Sequence, residues 1–356
     1  MNIGLMGAWN TDSGASIHTE LLGRSLVEMG HRVWVFTFFR DSFHGTAIVG
    51  DDEEYVVRCF SVASDPDPRL LATPFLTRRY DFFVVEDLGM LPQDHLAKIF
   101  HWIRKRARTV TVIHDGNLKE DPSFYQFAWD AIVCFDRRYF DFLKRVYPEE
   151  TIHIIPYPCM PWRPGDMQAA RRSLGLPQDR RIILQFGTVP RFGAARFPML
   201  QKLAGKHPLL LLIVTRQPDG LAKWKSLQRQ APRLVEIREE SPRIDRLYEY
   251  LHACDLLLYD KPSKPNCITV SSTAYQCLGA GCPIAALRSA FVEGLEDALY
   301  VYGDDSELES VVDSVAARDA RWHRVLDAAR GYVEENSGAK IAERFVGLFR
   351  LLAERS

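Results

Sequence analysis

The feature that most constrains this chain is a series of short apolar runs separated by stretches with helical spacing. In the first half the runs are Ile3–Met6, Val33–Phe36, Tyr55–Val57, Phe82–Val85, Val110–Ile113, Ala131–Cys134 and Ile152–Ile155. Runs that are apolar throughout, with no polar alternation, are typical of parallel strands covered by helices on both faces. The first half therefore predicts a doubly wound α/β sheet.

A proline-rich segment from Pro156 to Pro164 interrupts this pattern. Proline fixes φ and lacks an amide hydrogen, so the segment predicts a linker with no regular element. The pattern then restarts, with the runs Ile182–Phe186, Leu209–Val214, Leu234–Ile237, Leu256–Tyr259 and Pro283–Ala286. We predict two tandem Rossmann-like, doubly wound domains, residues 1–160 and 161–335, with a ligand site in the cleft between them. A C-terminal helix, residues 336–356, is expected to pack back toward the first domain.

Composition excludes several classes of protein. The 356 residues suit two domains of ordinary size. A formal net charge of -1 argues against a general nucleic-acid binder. No apolar run is long enough to span a bilayer, and the apolar N-terminus lacks the basic residues of a signal peptide. The seven cysteines include no C-x-x-C pair, which favours free thiols and a cytoplasmic location.

The loop after the first strand is a candidate anion site. Gly14, Ala15 and Ser16 open the first predicted helix, where unpaired amides and the helix dipole favour a phosphate. Gly14 also permits close approach of a ligand. The alternative is ordinary capping of the helix by Ser16, with Ser13 in the turn.

Polar residues at strand ends form a second candidate site. His114 and Asp115 follow one buried strand, and Glu86 follows another. Ligands of open α/β sheets bind at the carboxyl edge of the strands, so we expect these residues at a site. The alternative for a lone histidine is a structural residue whose hydrogen bonds are satisfied.

Five segments together resemble one family. They are Gly14–Leu22 with Glu28–Val33, Ile113–Asp115, Ile154–Pro158, Leu247–Leu258 and Ala274–Ala286. In this order and spacing they resemble the "group 1" glycosyltransferases, retaining enzymes of the GT-B fold, and the resemblance covers nearly the whole chain. It implies a hexosyltransferase that moves a sugar from a nucleotide diphosphate sugar to a hydroxyl acceptor. The nucleotide sugar is then a co-substrate, and no cofactor or metal is obligatory.

The resemblance also assigns roles to residues. His114 would position the donor sugar or the attacking hydroxyl, with Asp115 orienting its ring or capping the next turn. The first domain would be the acceptor side, where Glu86 and His18 contact the acceptor and the Gly14 loop closes the cleft. The second domain would bind the donor. Its contacts to the phosphates and the ribose would come from Arg191, Arg196, Thr269, Ser271, Ser272 and Gln276. The alternative for the hydroxyl residues is a Ser/Thr-rich helix cap.

The chain departs from the family pattern at the donor side. The family's two glutamates, eight positions apart, are replaced by Ile268 and Gln276. The family also has an Arg and a Lys after the first strand of the second domain, which hold the donor phosphates. Here only Arg191 or Arg196 could supply that positive charge. These losses motivate a second hypothesis, a catalytically inactive GT-B-like binding or accessory subunit. A sugar-nucleotide epimerase would need catalytic carboxylates that the sequence does not supply.

Residues 100–108 combine basic and aromatic side chains. Such a stretch can contact an anionic membrane surface or a phosphorylated acceptor. The alternative, a helix with a solvated basic face, is favoured.

Overall fold

The computed structural model describes residues 1–11, 13–42, 50–114, 116–117, 125–187, 190–215, 220–264 and 267–355. The strands are β1 Asn2–Met6, β2 Arg32–Phe38, β3 Val56–Phe60, β4 Phe82–Glu86, β5 Arg108–Val112, β6 Ala131–Cys134, β7 Ile152–Ile154, β8 Arg181–Gly187, β9 Leu209–Thr215, β10 Val235–Arg238, β11 Leu256–Tyr259, β12 Ile284–Leu287 and β13 Tyr300–Tyr302. The helices are α1 Gly14–Glu28, α2 Ala72–Thr77, α3 Gln93–Arg104, α4 Arg137–Leu143, α5 Met167–Leu174, α6 Phe197–Lys206, α7 Leu221–Gln230, α8 Ile244–Ala253, α9 Ser272–Leu278, α10 Asp305–Ala317, α11 Ala320–Glu335 and α12 Gly338–Glu354.

The chain divides into two compact units. The first contains Met1–Cys159, Asn266–Ser272 and Asn336–Ser356, and the second contains Met160–Pro265 and Thr273–Glu335. The sequence boundaries had placed all of residues 161–335 in the second domain. Residues 266–272 instead belong to the first unit, because the described part of this segment packs there, with the backbone carbonyl of Ile268 against Gly116.

The first unit is built on a parallel sheet with strand order β3-β2-β1-β4-β5-β6-β7. The order reverses between β1 and β4, which is the topological switch point where ligands of such sheets bind. Helix α12 packs against α1 in this unit. The rings of Phe82 and Phe349 stack with centroids 4.4 Å apart and join α12 to β4.

The second unit repeats the arrangement with strand order β10-β9-β8-β11-β12-β13, again parallel, and a switch point between β8 and β11. All seven residues of β9 are buried, as expected for a central strand covered on both faces. The prediction of two doubly wound domains is confirmed. The sequence pattern missed β13, because three residues are too short a run to separate from its surroundings.

Among the described residues, no helix has the length and apolar character that a membrane crossing requires. All seven cysteines are free thiols, and all but Cys267 are buried. The linker from Pro156 to Pro164 has no helix or strand. Its one regular feature is a bridge in which the amide of Cys159 donates to the carbonyl oxygen of Asn336 over 2.7 Å.

Candidate functional site

The candidate site of the first unit lies at the carboxyl edge of its sheet, beside the switch point. Glu86 is the last residue of β4, and His114 comes two residues after the end of β5. His18 reaches the same place from the first turns of α1, the helix that follows β1. Parallel strands put all three residues at one edge, as the sequence predicted for Glu86 and His114.

A single carboxylate oxygen joins these residues. Oε2 of Glu86 lies 3.0 Å from Nε2 of His114 and 3.0 Å from Nδ1 of His18. The two imidazole rings meet edge to face, with centroids 5.1 Å apart. The side chains of His18 and Glu86 are fully buried, whereas that of His114 is 12% exposed. His114 is therefore the member of this triad that a ligand can reach.

The contacts fix the ionisation of the triad. Burial opposes charge on Glu86, but the attraction of His18 and the hydrogen bond from His114 outweigh it and hold the pKa of Glu86 at about 2. Burial also lowers the pKa of His18, against the attraction of Glu86. At neutral pH Glu86 is thus an anion and His18 a neutral imidazole.

The same three residues are the one group of potential metal ligands among the described residues, with ligand atoms within 4.8 Å of one another. Both nitrogen–oxygen distances are 3.0 Å and converge on one oxygen, but only His114 is placed to hydrogen-bond to Glu86. Nδ1 and Nε2 of His18 and Oε1 of Glu86 are buried and have no hydrogen-bond partner among the described residues.

Aromatic residues enclose the two imidazoles. Phe135 lies 5.0 Å from the ring of His114 and 5.4 Å from that of His18, centroid to centroid. Tyr157 packs 5.4 Å from His18 on another side, and its hydroxyl donates a 2.6 Å hydrogen bond to the carbonyl oxygen of Gly14. Tyr157 thus links the triad to the start of α1.

The Gly14 loop is built differently from the expected cap. Ser13, and not Ser16, is the N-cap: its hydroxyl accepts from the amide of Ser16 over 3.2 Å. The hydroxyl of Ser16 is fully buried and donates to Glu20 over 2.6 Å. Ser16 therefore cannot offer its side chain to an anion. Gly14 and Ala15 remain the residues of this loop that can offer backbone to a ligand.

Residues 267–272 pack closely on the first unit. A Cβ on Gly14 would lie 2.8 Å from Cβ and Oγ of Ser272, so the Ser272 side chain lies against the backbone of Gly14. The guanidinium of Arg138 donates to the carbonyl oxygen of Thr269 over 3.2 Å. Ser271 is buried, whereas Thr269 and Ser272 are half-buried. Of the three hydroxyl residues assigned to the phosphates, Thr269 and Ser272 are therefore the more accessible.

In the second unit, the two candidate arginines differ. Arg196 donates to both oxygens of Asp260 over 3.3 and 3.2 Å and also to Asp305. Burial opposes its charge, but these two carboxylates raise the pKa of Arg196. Arg191 is exposed, and no ion pair ties it to another described residue. Arg191 is therefore the better candidate for a phosphate contact, because the charge of Arg196 is already neutralised.

The backbone around Arg191 is held by a buried side chain of β8. Gln185 is 2% exposed. Its side-chain amide is oriented so that the oxygen accepts hydrogen bonds from the backbone amides of Arg191 (2.5 Å) and Phe192 (2.6 Å). These bonds hold the backbone of Arg191 and Phe192 against β8, which borders the switch point of the second sheet.

Gln276 occupies a distinct position in α9. Between Ala274 and Ala280 it is the one residue that is not buried. Its carbonyl oxygen accepts a 2.9 Å hydrogen bond from the hydroxyl of Tyr248, so the helix is anchored from α8. The side chain of Gln276 is thus partly exposed on a fixed backbone, as a ligand contact requires.

Comparison with known proteins identifies the architecture. No known family profile matches the sequence. Sucrose-phosphate synthase from Thermosynechococcus elongatus superposes with a TM-score of 0.65 at 17% identity, over 100% of both chains. HepE from Anabaena, solved with UDP-glucose, gives 0.66 at 14% identity, over 98% of this chain and 99% of that one. A glycosyltransferase from Rickettsia africae gives 0.67 at 13% identity, over 100% and 99%. The chain has the GT-B fold.

Within this GT-B chain, two sequence assignments need correction. Glu86 and His18 were expected to contact an acceptor, but their side chains are fully buried and no hydroxyl can reach them directly. Asp115 lies outside the described residues. Sequence reasoning missed Tyr157. A signal was present, because Tyr157 lies between two prolines in the segment that resembles the linker of the GT-B family.

Proposed function

We propose that this chain is a retaining glycosyltransferase that moves a sugar from a nucleotide diphosphate sugar to a hydroxyl acceptor. The observation that carries the proposal is the His114–Glu86 pair at the switch point of the first sheet. A partly exposed imidazole fixed by a buried carboxylate can hold a sugar hydroxyl in place. Tyr157 contacts both His18 and the carbonyl oxygen of Gly14, so the Gly14 loop lies beside this triad. The loop can therefore offer backbone groups to the same ligand.

The donor would be bound by the second unit. Arg191 supplies an exposed cation for the diphosphate, and Gln276 supplies an amide for the ribose hydroxyls. Positive charge near the departing diphosphate lowers the barrier, because charge develops there in the transition state. The Anabaena neighbour was solved with UDP-glucose, which supports a nucleoside diphosphate sugar as the donor class.

A binding or accessory subunit is the second candidate. It is favoured by Arg196, whose charge is neutralised by Asp260 and Asp305. Ile268 and Gln276, in the places of the two family glutamates, point the same way. A protein of this kind would bind the nucleotide sugar without cleaving it.

A thermal-shift screen with UDP, GDP, ADP and TDP sugars, followed by mass spectrometry with cell extract as acceptor, separates the two candidates. A ligand at one hundred times its Kd stabilises the fold by about 2.7 kcal/mol. A shift with transfer or hydrolysis that His114→Ala reduces, without loss of the cooperative melt, supports the enzyme. A shift with no turnover supports the accessory subunit. No shift with any nucleotide at millimolar concentration refutes both.

A peripheral membrane contact through residues 100–108 is a further part of the proposal. Trp102 is 45% exposed at the end of α3, and Nζ of Lys105 lies 4.9 Å from the centre of its ring. An exposed tryptophan beside cations suits an anionic interface. Sedimentation with phosphatidylglycerol vesicles, compared between the wild type and Trp102→Ser, tests it, and equal binding of the two proteins would contradict it.

A further inference from the structure

Two thiols of the second unit lie side by side. Sγ of Cys254 and Sγ of Cys282 are 3.3 Å apart, and both residues are buried, with exposed fractions of 2% and 7%. A disulfide brings two sulfur atoms to about 2.05 Å, so this pair would have to close by only about 1.2 Å. The two sulfurs are therefore within reach of one another through a small movement of the side chains.

The second sheet holds the two cysteines in this relationship. Cys254 lies two residues before β11, and Cys282 lies two residues before β12. These two strands are parallel neighbours, with Leu257 opposite Ile284, and the amide of Leu257 donates to the carbonyl oxygen of Pro283 over 2.9 Å. The thiols therefore meet at the amino edge of the sheet, where strand pairing fixes the backbone on both sides.

The ordinary interpretation of such a contact is two structural thiols that share a weak S–H···S hydrogen bond. Each thiol, however, has an oxygen acceptor of its own. Sγ of Cys254 lies 3.3 Å from the carbonyl oxygen of Leu251, and Sγ of Cys282 lies 3.4 Å from that of Pro283. The approach of the two sulfurs is therefore not needed to satisfy either thiol hydrogen.

A small cavity gives an oxidant access to the pair. Its volume is about 90 Å³, and Cys254 and Cys282 both line it. Gly165 and Arg318 also line the cavity and are exposed, so it reaches the protein surface. A water molecule needs only about 10–15 Å³ of such space, and hydrogen peroxide is little larger than water. Peroxide can therefore reach the sulfurs without unfolding of the chain.

We propose that Cys254 and Cys282 are a redox-active dithiol that hydrogen peroxide converts to a disulfide in the folded protein. Cys282, the more exposed of the two, attacks peroxide as a thiolate: an S–O bond forms, the O–O bond breaks, and the departing hydroxide becomes water with the proton that Cys282 lost. Sγ of Cys254 then attacks the resulting sulfenic acid. The S–S bond forms, the S–O bond breaks, and the departing hydroxide takes the Cys254 proton as a second water.

Burial agrees with this order of attack. It raises the pKa of the Cys254 thiol well above its usual range, so Cys254 stays protonated and serves as the second, resolving thiol. The disulfide would close the chain between residues 254 and 282, a segment that includes β11 and α9. It would add a covalent link to the hydrogen bond by which Tyr248 of α8 already anchors Gln276 of α9. None of these steps depends on sugar transfer.

Peptide mapping of the full chain tests the proposal. The folded protein is treated with hydrogen peroxide, its remaining thiols are blocked with N-ethylmaleimide, and it is digested without reductant. We expect the protein to lose the mass of two hydrogen atoms and to yield a crosslinked peptide that joins Cys254 to Cys282 and separates on addition of dithiothreitol. No crosslink at a peroxide concentration that oxidises Cys267, the most exposed cysteine, overturns the proposal. A crosslink from either residue to the buried Cys277 overturns it as well.

Variants and melts complete the test. Cys254→Ser and Cys282→Ser should each abolish the crosslink, whereas Cys267→Ser, the control, should keep it. The oxidised wild type should melt several degrees higher than the reduced protein, because a crosslink restricts the unfolded chain, and dithiothreitol should reverse the rise. Cys282→Ser should show no such rise. A lower melting temperature after crosslinking would mean that the bond forms only in a distorted or partly unfolded chain, and it would overturn the assignment of a native dithiol.

Discussion

The hydroxyl of Tyr157 donates a 2.6 Å hydrogen bond to the carbonyl oxygen of Gly14. Tyr157 is 2% exposed and follows β7, the last strand of the first sheet, whereas Gly14 begins α1. The bond therefore connects the two ends of the first 160 residues at the candidate site. It positions the loop whose backbone a ligand would meet.

Tyr157→Phe removes this bond to the carbonyl of Gly14. We expect the free energy of unfolding to fall by about 1 kcal/mol, with a larger proportional loss of activity because the loop shifts. Urea unfolding and turnover with the best nucleotide sugar measure the two effects. Tyr147→Phe, another tyrosine of the first unit with a buried hydroxyl, has no hydrogen-bond partner for that hydroxyl among the described residues and is the control. Equal effects of both changes would show that the Tyr157 bond has no special role.

Much of the fold could be predicted because apolar runs and proline breaks are local signals. The run Leu256–Tyr259 is β11 without change, and Phe82–Val85 differs from β4 by one residue. The strand predicted at Tyr55–Val57 begins one residue later and continues to Phe60, since polar Arg58 lies within it and masks its apolar character. The segment 266–272 could not be assigned to the first unit, because its packing depends on residues distant in sequence.

The candidate site was predictable in its position but less so in its contacts. Strand ends indicated the sheet edge that holds Glu86 and His114. Nothing in the sequence indicates that His18 and His114 converge on one oxygen, because that requires the direction of α1 relative to β4. The pairing of Arg196 with Asp260 is likewise a contact between distant segments, so both arginines had seemed equivalent.

Acid should destabilise the protein in part through His18. Burial lowers the pKa of His18 in the folded state below 6.5, its value in the unfolded state. Below pH 6.5 the unfolded state therefore binds a proton that the folded state does not bind. Stability from this residue is present above pH 6.5 and is lost as pH falls toward the folded pKa. Glu86 adds a second loss of stability, which begins as the pH falls below about 4.5 and continues to about pH 2, the pKa of Glu86 in the folded state.

His18→Gln keeps a polar side chain beside Glu86 and does not titrate. We expect its free energy of unfolding to fall less between pH 7.5 and pH 5.5 than that of the wild type, as measured by urea unfolding at both pH values. His101→Gln, which alters an exposed histidine of α3 in the same unit, is the control and should keep nearly the wild-type dependence. A wild-type slope in His18→Gln would show that His18 is not the buried neutral group described above.

Substitutions of Arg196 and Arg191 in the second unit should separate an effect on stability from an effect on nucleotide binding. Arg196→Gln leaves Asp260, which is 7% exposed, without its cation, and should cost about 1.5–3 kcal/mol of stability. Arg191→Gln breaks no ion pair among the described residues and should leave the melt unchanged while weakening nucleotide binding. Arg229→Gln, an exposed change in the last turn of α7, should affect neither. Undiminished nucleotide affinity in Arg191→Gln would exclude Arg191 from the donor site.

Gln276 provides the sharpest comparison of the two candidate functions. Its backbone is anchored by Tyr248, and its neighbours Tyr275 and Cys277 are buried, so changes to its side chain should leave the helix in place. A side-chain amide can accept from one ribose hydroxyl and donate to the other. Loss of that pair in Gln276→Leu should cost about 0.5–1.5 kcal/mol of nucleotide affinity, since neither partner is charged.

Gln276→Glu should bind the nucleotide as well as the wild type or slightly better, because a carboxylate makes stronger hydrogen bonds to hydroxyls. Calorimetric titration of the wild type, Gln276→Leu and Gln276→Glu with the best nucleotide measures the order, and thermal melts of the three proteins check that the fold is kept. If Gln276→Glu also raised turnover, the natural glutamine would be a tuned contact of an active enzyme. Equal affinities in all three proteins would mean that Gln276 does not touch the donor, and the accessory subunit would then be the better account of this GT-B chain.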